Sequence, residues 1–199
     1  GLTEGASVSN LNLYGIEFTV YNNSAGLVGE ANSNTNITGC HIQGNIYGSQ
    51  LVGGIAGFIN NSTAIRECSS NVNLTGRGTI GGIVGTNFGL SIVEQCYSKG
   101  TITASTDEES SRFGGLVGAN FASVINCYSN INVVSGMESG GGLVGYNYSS
   151  GSIYNSYSTG NVRLLGYGNY IGGLVGNNYG TVTSSYWDIE ASGNPTSAA

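Results

Sequence analysis

The 199-residue sequence predicts an all-β parallel β-solenoid (β-helix), coiled in the right-handed sense with about one turn per 27–33 residues. Three observations carry that prediction. A glycine-flanked pentapeptide recurs six times, with its central Leu or Ile at positions 27, 55, 83, 116, 143 and 174, so the steps are 28, 28, 33, 27 and 31 residues. Periods of this size mark solenoids, propellers and repeat arrays. Downstream of each copy an aliphatic residue is followed, always three positions on, by a small one: Ile37/Cys40, Ile65/Cys68, Val93/Cys96, Val124/Cys127, Ile153/Ser156 and Val182/Ser185. Finally, no stretch holds apolar residues at helical spacing, and each of the 35 glycines would cost a helix about 1 kcal/mol.

Along the chain, Val8 and Leu11 keep the same offset ahead of the first pentapeptide, so about six and a half units are expected. In each pentapeptide, such as Gly114-Gly115-Leu116-Val117-Gly118, the glycines permit tight bends or close approach of backbones. The pattern is compatible with Val117 pointing inward beside Leu116 or sitting at a corner. After the small residue the chain alternates, as in Cys96 to Thr103 and Ser156 to Leu164, with β-branched and aromatic residues that favour strands. A unit of this length divides into about three short strands joined by Gly, Asn and Ser corners. Turns stacked at about 4.8 Å would give a rod about 30–35 Å long. A four-stranded propeller blade needs a longer unit, about 40–45 residues. The extra residues of the longer steps, 105–112 and 165–169, read as loops bulging from a corner.

With 39% hydrophobic residues in strict repetition, the chain reads as one elongated domain over 1–187, followed by a polar tail, cap or linker over 188–199. Charged residues make up 8%, there is a single lysine and the net charge is −6, which argues against nucleic acid and anionic membranes as partners. No apolar run reaches the length of a membrane span, and Gly1 to Gly5 lacks the features of a signal peptide, as expected of a mature or excised segment.

The four cysteines occupy one slot of successive repeats, and Ser156 and Ser185 fill it in the next two, so the slot selects small size. Stacked in register, their Cβ atoms would lie about 4.8 Å apart, longer than a relaxed disulfide needs; buried free thiols are expected. Two aromatic ladders are predicted: Tyr97, Tyr128, Tyr157 and Tyr186 after the slot, and Phe88, Phe121, Tyr148 and Tyr179 after the pentapeptide. Structural stacking is their expected role, with a platform for sugar rings as the functional alternative. Asn87, Asn120, Asn147 and Asn178 suit corner chemistry, by left-handed geometry, a turn hydrogen bond or an amide ladder. Sequons at Asn22, Asn36, Asn60, Asn61, Asn73 and Asn147 are candidate glycosylation sites in a composition that also produces them by chance.

Catalysis is not expected. His41, the only histidine, stands where later repeats have Tyr, and no nucleophile or metal signature is present. The acids are scattered; Asp107-Glu108-Glu109 suggests a solvated loop, with calcium as the alternative. No cofactor is implied. Ice binding is disfavoured because Thr101-Ile102-Thr103 and Thr181-Val182-Thr183 fall at different repeat phases.

Gly-Gly-Leu-Val-Gly-x-Asn followed by Ile/Val-x-Asn-Cys-Tyr-Ser-x-Gly resembles the GLUG repeat of large bacterial and archaeal surface proteins. The resemblance spans Ala25 to Trp187 and is fullest at Gly81 to Thr103, Gly114 to Val133 and Gly141 to Val162. It implies a secreted or cell-wall-attached location, beside adhesin modules or within IgA-cleaving metallopeptidases whose chemistry lies elsewhere. The expected function is a noncatalytic stalk or spacer of an adhesin-like protein with a weak multivalent binding surface. The alternatives are a glycan-binding module, a self-assembling filament subunit, or an accessory domain of a secreted peptidase. Surface glycans or proteins and end-to-end copies are the partners these readings imply.

Overall fold

The computed structural model describes residues 1–104, 111–135, 139–164 and 170–198. The chain is a parallel β-solenoid. Its strands form four parallel sheets, which make four faces. In one turn, Ile92–Glu94 lies on the first face, Tyr97–Ala104 on the second, Arg112–Gly114 on the third and Val117–Asn120 on the fourth. The expectation of about three strands per turn is therefore corrected to four. The pentapeptide is the reason: Gly115 and Leu116 turn a corner between two short strands instead of continuing one.

Pairing follows the sequence period. Val93 lies between Ile65 and Val124, Tyr97 between Ser69 and Tyr128, and Val84 between Ala56 and Val117. Like residues therefore stack on like. Ile37, Ile65, Val93, Val124 and Ile153 line the inside of the first face, and Ile46, Leu74, Ile102, Val133 and Val162 that of the second. Leu116 and Val117 are both fully buried, so the pentapeptide contributes two apolar side chains per turn. Burying each such side chain stabilises by about 1.5–3 kcal/mol, and the parallel ladders pair the backbone groups enclosed with it.

The pentapeptide glycines are selected by close approach, since none of those at 114, 115 and 118 has a left-handed φ. A Cβ on Gly118 would lie 2.8 Å from the carbonyl oxygens of both Gly85 and Ile80, because the third and fourth faces pass each other with no room for a side chain. Among the positions with left-handed backbone, one recurs in every turn, at Asn10, Gly39, Glu67, Gln95, Asn126, Asn155 and Ser184, with φ between 48° and 63°. Each stands directly before the small slot, or before its equivalent Leu11 in the case of Asn10, where it swings the chain from the first face to the second.

At the carboxyl end the chain folds back on its last turn. Trp187 occupies the rung of Ser158 and packs against the core over Gly173. A short helix, Ile189–Ser192, is capped by Asp188, whose Oδ1 accepts from the Ala191 amide at 2.9 Å, and ends at left-handed Gly193. Asn194 donates from Nδ2 to the Val162 carbonyl at 2.8 Å. Beyond it, Gly173 N–H donates to Thr196 O, Val175 N–H to Ser197 Oγ, and Ala198 N–H to Val175 O. These bonds cover the last corner at Gly173 and the start of the fourth face at Val175.

Candidate functional site

The small slot carries more chemistry than its size implies. The Cys40 amide donates to Cys68 Sγ at 3.4 Å, Cys96 to Cys127 Sγ at 3.5 Å, and Cys127 and Ser156 donate to the hydroxyls of Ser156 and Ser185 at 3.1 Å each. The Cys68 and Cys96 thiols donate in turn to carbonyls two residues back, at Arg66 and Glu94. A small side chain that both accepts and donates is what the slot requires. All four cysteines are free and buried. Contact with the next thiol and burial push the Cys68 thiol up, and Cys127 does the same to Cys96.

A raised folded-state value means that above the ordinary thiol value of about 9 the unfolded chain loses these protons while the native one keeps them. Stability is thus complete below about pH 9 and falls as pH rises, by up to about 1.4 kcal/mol per pH unit for each thiol. Urea denaturation between pH 8 and 10 should show that decline. A Cys68→Ser/Cys96→Ser variant, which keeps the hydrogen bonds as Ser156 does, should flatten it, and an unchanged slope would refute the linkage.

The serine two positions after the small slot points inward at Ser70, Ser98, Ser129 and Ser158. Ser70, Ser98 and Ser158 donate to the carbonyls of Gly82, Gly115 and Gly173 at 2.6, 2.8 and 2.5 Å, tying the second face to the pentapeptide corner. Sequence reasoning missed this role, although the serine recurs in every unit from the third to the sixth. The asparagines form an amide ladder at the end of the fourth face: Nδ2 of Asn87, Asn120 and Asn147 donates to Oδ1 of Asn120, Asn147 and Asn178, each at 2.8 Å. Asn120 also donates to Ala122 O at 3.0 Å, so it bonds the corner without adopting left-handed geometry.

The slot-side tyrosines stack. Tyr97 and Tyr128 have ring centroids 5.1 Å apart with planes 3° from parallel, and Tyr128 and Tyr157 are 5.9 Å and 12° apart. Tyr186 continues the register, 65% exposed, without a ring contact to Tyr157. A ring stacked on both sides offers solvent its edge, so Tyr128 provides no face to a sugar. Among these stacked rings the free faces belong to the ends, Tyr97 and Tyr157. Burial, with Tyr128 second, raises the Tyr97 phenol.

The other ladder is irregular. Phe121 stacks on Tyr148 at 3.7 Å and meets Phe88 edge-on at 5.1 Å, but Tyr179 stacks on Tyr146. Phe58 joins its far end through Phe88, and the Arg112 guanidinium lies over Tyr146 and Tyr148 at 5.3 and 5.6 Å. Phe58 and Tyr146 sit two residues before the recurring aromatic position, on the rungs of Thr86 and Ala119, and so fall outside the ladder that the spacing predicts.

Of the sequons, Asn22, Asn36, Asn61 and Asn73 are exposed and Asn60 is half-buried. Asn147 is corrected: it is fully buried with its Nδ2 held in the amide ladder, so the folded chain has no room for a glycan there. Asp107-Glu108-Glu109 and the 165–169 loop lie outside the described residues, as does the 105–112 loop apart from Ser111 and Arg112. Among the described residues no cluster of metal-ligating side chains occurs.

His41 sits two rungs before Tyr97, and its Nδ1 is 2.8 Å from Ser69 Oγ. Around this pair a cleft of about 280 Å³ is lined by Tyr14, Gln43, Asn71, Tyr97 and Lys99. Tyr14 enters it from a bulge in the Asn12–Thr19 strand, where the register shifts between Leu13 and Ile16.

Four faces and continuous internal ladders define the class: a repeat solenoid whose recurring residues serve stacking. A family model described as the GLUG motif matches residues 76–103, 109–134 and 138–163. The chain carries three GLUG repeats, and the matched units are those in which the pentapeptide, its asparagine and the Tyr-Ser pair are complete. No curated protein and no solved structure matched it.

Proposed function

We propose that this chain is a noncatalytic extracellular segment of an adhesin-like surface protein, acting as a rigid stalk or spacer with a weak multivalent binding surface. The observation that carries this reading is the continuity of the stack. Backbone, thiol or hydroxyl, and amide ladders each bond one turn to the next, and the residues that recur are used by the scaffold itself. A rod held this way transmits load through many parallel bonds at once, and exposed side chains repeated along it favour avidity over single-site affinity. Single-molecule pulling on a tandem fusion tests it. Turns should detach under load in steps of about 100 Å, the extended length of about 28 residues; featureless extension without resistance would overturn the stalk reading. Antibody labelling of intact cells tests the location.

Glycan binding is the second reading, favoured by the free face of Tyr97 above the His41 cleft. Head-to-tail assembly, the third, would require residues 196–198 to leave the edges they pair.

A further inference from the structure

We propose that the cleft between Tyr14 and Tyr97 is a subsite for an acidic pyranose, a hexuronate unit of a polysaccharide; this rests on the glycan-binding reading and gives it a place and a ligand class. The aromatic ladder stops at Tyr97. The next two rungs carry Ser69 and His41, and only beyond them does Tyr14 rise from its bulge. Three strand spacings separate the two tyrosine-bearing strands, about 14 Å, and Ser69 and His41, shorter than a tyrosine, lie between them in the 280 Å³ cleft. Tyr97 is stacked on one side by Tyr128 and open on the other, towards this space, where the apolar face of a pyranose can lie on it.

Polar groups around the ring suit hydroxyls. Gln43 and Asn71 each bring an amide that donates and accepts. The His41–Ser69 bond occupies one imidazole nitrogen and leaves the other available. Farther along the same face the outward groups bond one another: Tyr128 Oη to Thr159 Oγ1 at 2.7 Å, and Asn130 Nδ2 to Thr159 Oγ1 at 2.9 Å. Gln43, Asn71 and Lys99 make no such bonds among the described residues.

Charge selects the class of sugar. The sequence has one lysine and one histidine, and both line this cleft, while among the described residues no acidic side chain does. On a chain of net charge −6 that is a local reversal of sign. A carboxylate beside Lys99 gains a charge-assisted hydrogen bond, and the aromatic face distinguishes a sugar acid from a simple anion.

Isothermal titration of the chain with tri-galacturonate and with neutral maltotriose provides the test, with folding of each variant verified by circular dichroism. The proposal expects tri-galacturonate to bind at least tenfold more tightly than maltotriose. Lys99→Gln should remove that preference, Gln43→Ala should weaken binding several-fold, and Tyr97→Ala should abolish it. Tyr157→Ala, at the far end of the ladder, should change nothing. Equal binding of both sugars, or equal loss in Tyr157→Ala, would overturn the subsite while leaving a glycan-binding module. No binding of either sugar overturns the subsite; a further screen of neutral and acidic glycans without any binder would then remove the glycan reading as well.

Discussion

Gly82→Ala is expected to destabilise the solenoid by roughly 3 kcal/mol or more, a large effect for a single added methyl group. The new Cβ would overlap the Gly115 carbonyl oxygen of the next turn and lie 2.5 Å from Ile131 Cδ1 and 2.8 Å from Ser98 Cβ. Side chains can yield, but the Gly115 carbonyl cannot, since it accepts the Ser98 hydroxyl and belongs to a corner held in register on both sides. Because the site lies mid-stack, separating turns there also weakens coupling between the halves of a quasi-one-dimensional array. Urea denaturation should show a midpoint lower by about 1–2 M, with a broadened or two-step transition. Ala25 replaces the first pentapeptide glycine in the opening turn alone, paired with Gly53; further along, a Cβ at Gly81 or Gly114 would overlap the carbonyl oxygen of Val84 or Val117. A shift below about 0.5 M for Gly82→Ala would show that the corner relaxes and that close approach does not explain the glycine.

Asn120→Leu should cost roughly 3 kcal/mol by the loss of about three hydrogen bonds and the orphaning of a buried acceptor. Asn120 donates to Asn147 Oδ1 and Ala122 O and accepts from Asn87 Nδ2. Without it Asn147 Oδ1 has no partner in the ladder. Asn87→Leu should cost only about 1 kcal/mol, because Asn87 Oδ1 is already buried without a partner and the rung before it is Ile59. The ladder thus tolerates an apolar end but not an apolar interruption. Equal midpoints for the two variants in urea would mean that packing, and not the amide chain, sets the cost.

Much of this was legible because repetition makes residue n touch its equivalent in the next turn. Val93 predicts Val124 as its neighbour, Tyr97 predicts Tyr128, and the Cys40-to-Ser185 slot predicts a line of small buried groups. The aromatic ladder beginning at Phe88 was less legible: alternation between Tyr146 and Tyr148 let Tyr179 choose a partner in another phase. The strand count is not legible at the pentapeptide, because a break at Gly115-Leu116 and a continuous strand share one apolar pattern.

What the sequence by itself determined is the period, hence the fold class, the register and the stacking of like on like, since a parallel coil converts a repeat into a contact. What only the tertiary structure decided is where the third and fourth faces leave no room for a side chain, which tyrosine face stays open, and how unrepeated residues meet. Tyr14, His41 and Lys99 belong to three different turns, and Tyr14 lies in a bulge outside the register that relates the other two. They converge because a bulge, an interrupted ladder and the rise of the coil set them around one cleft, and no local rule of composition or spacing encodes such a meeting.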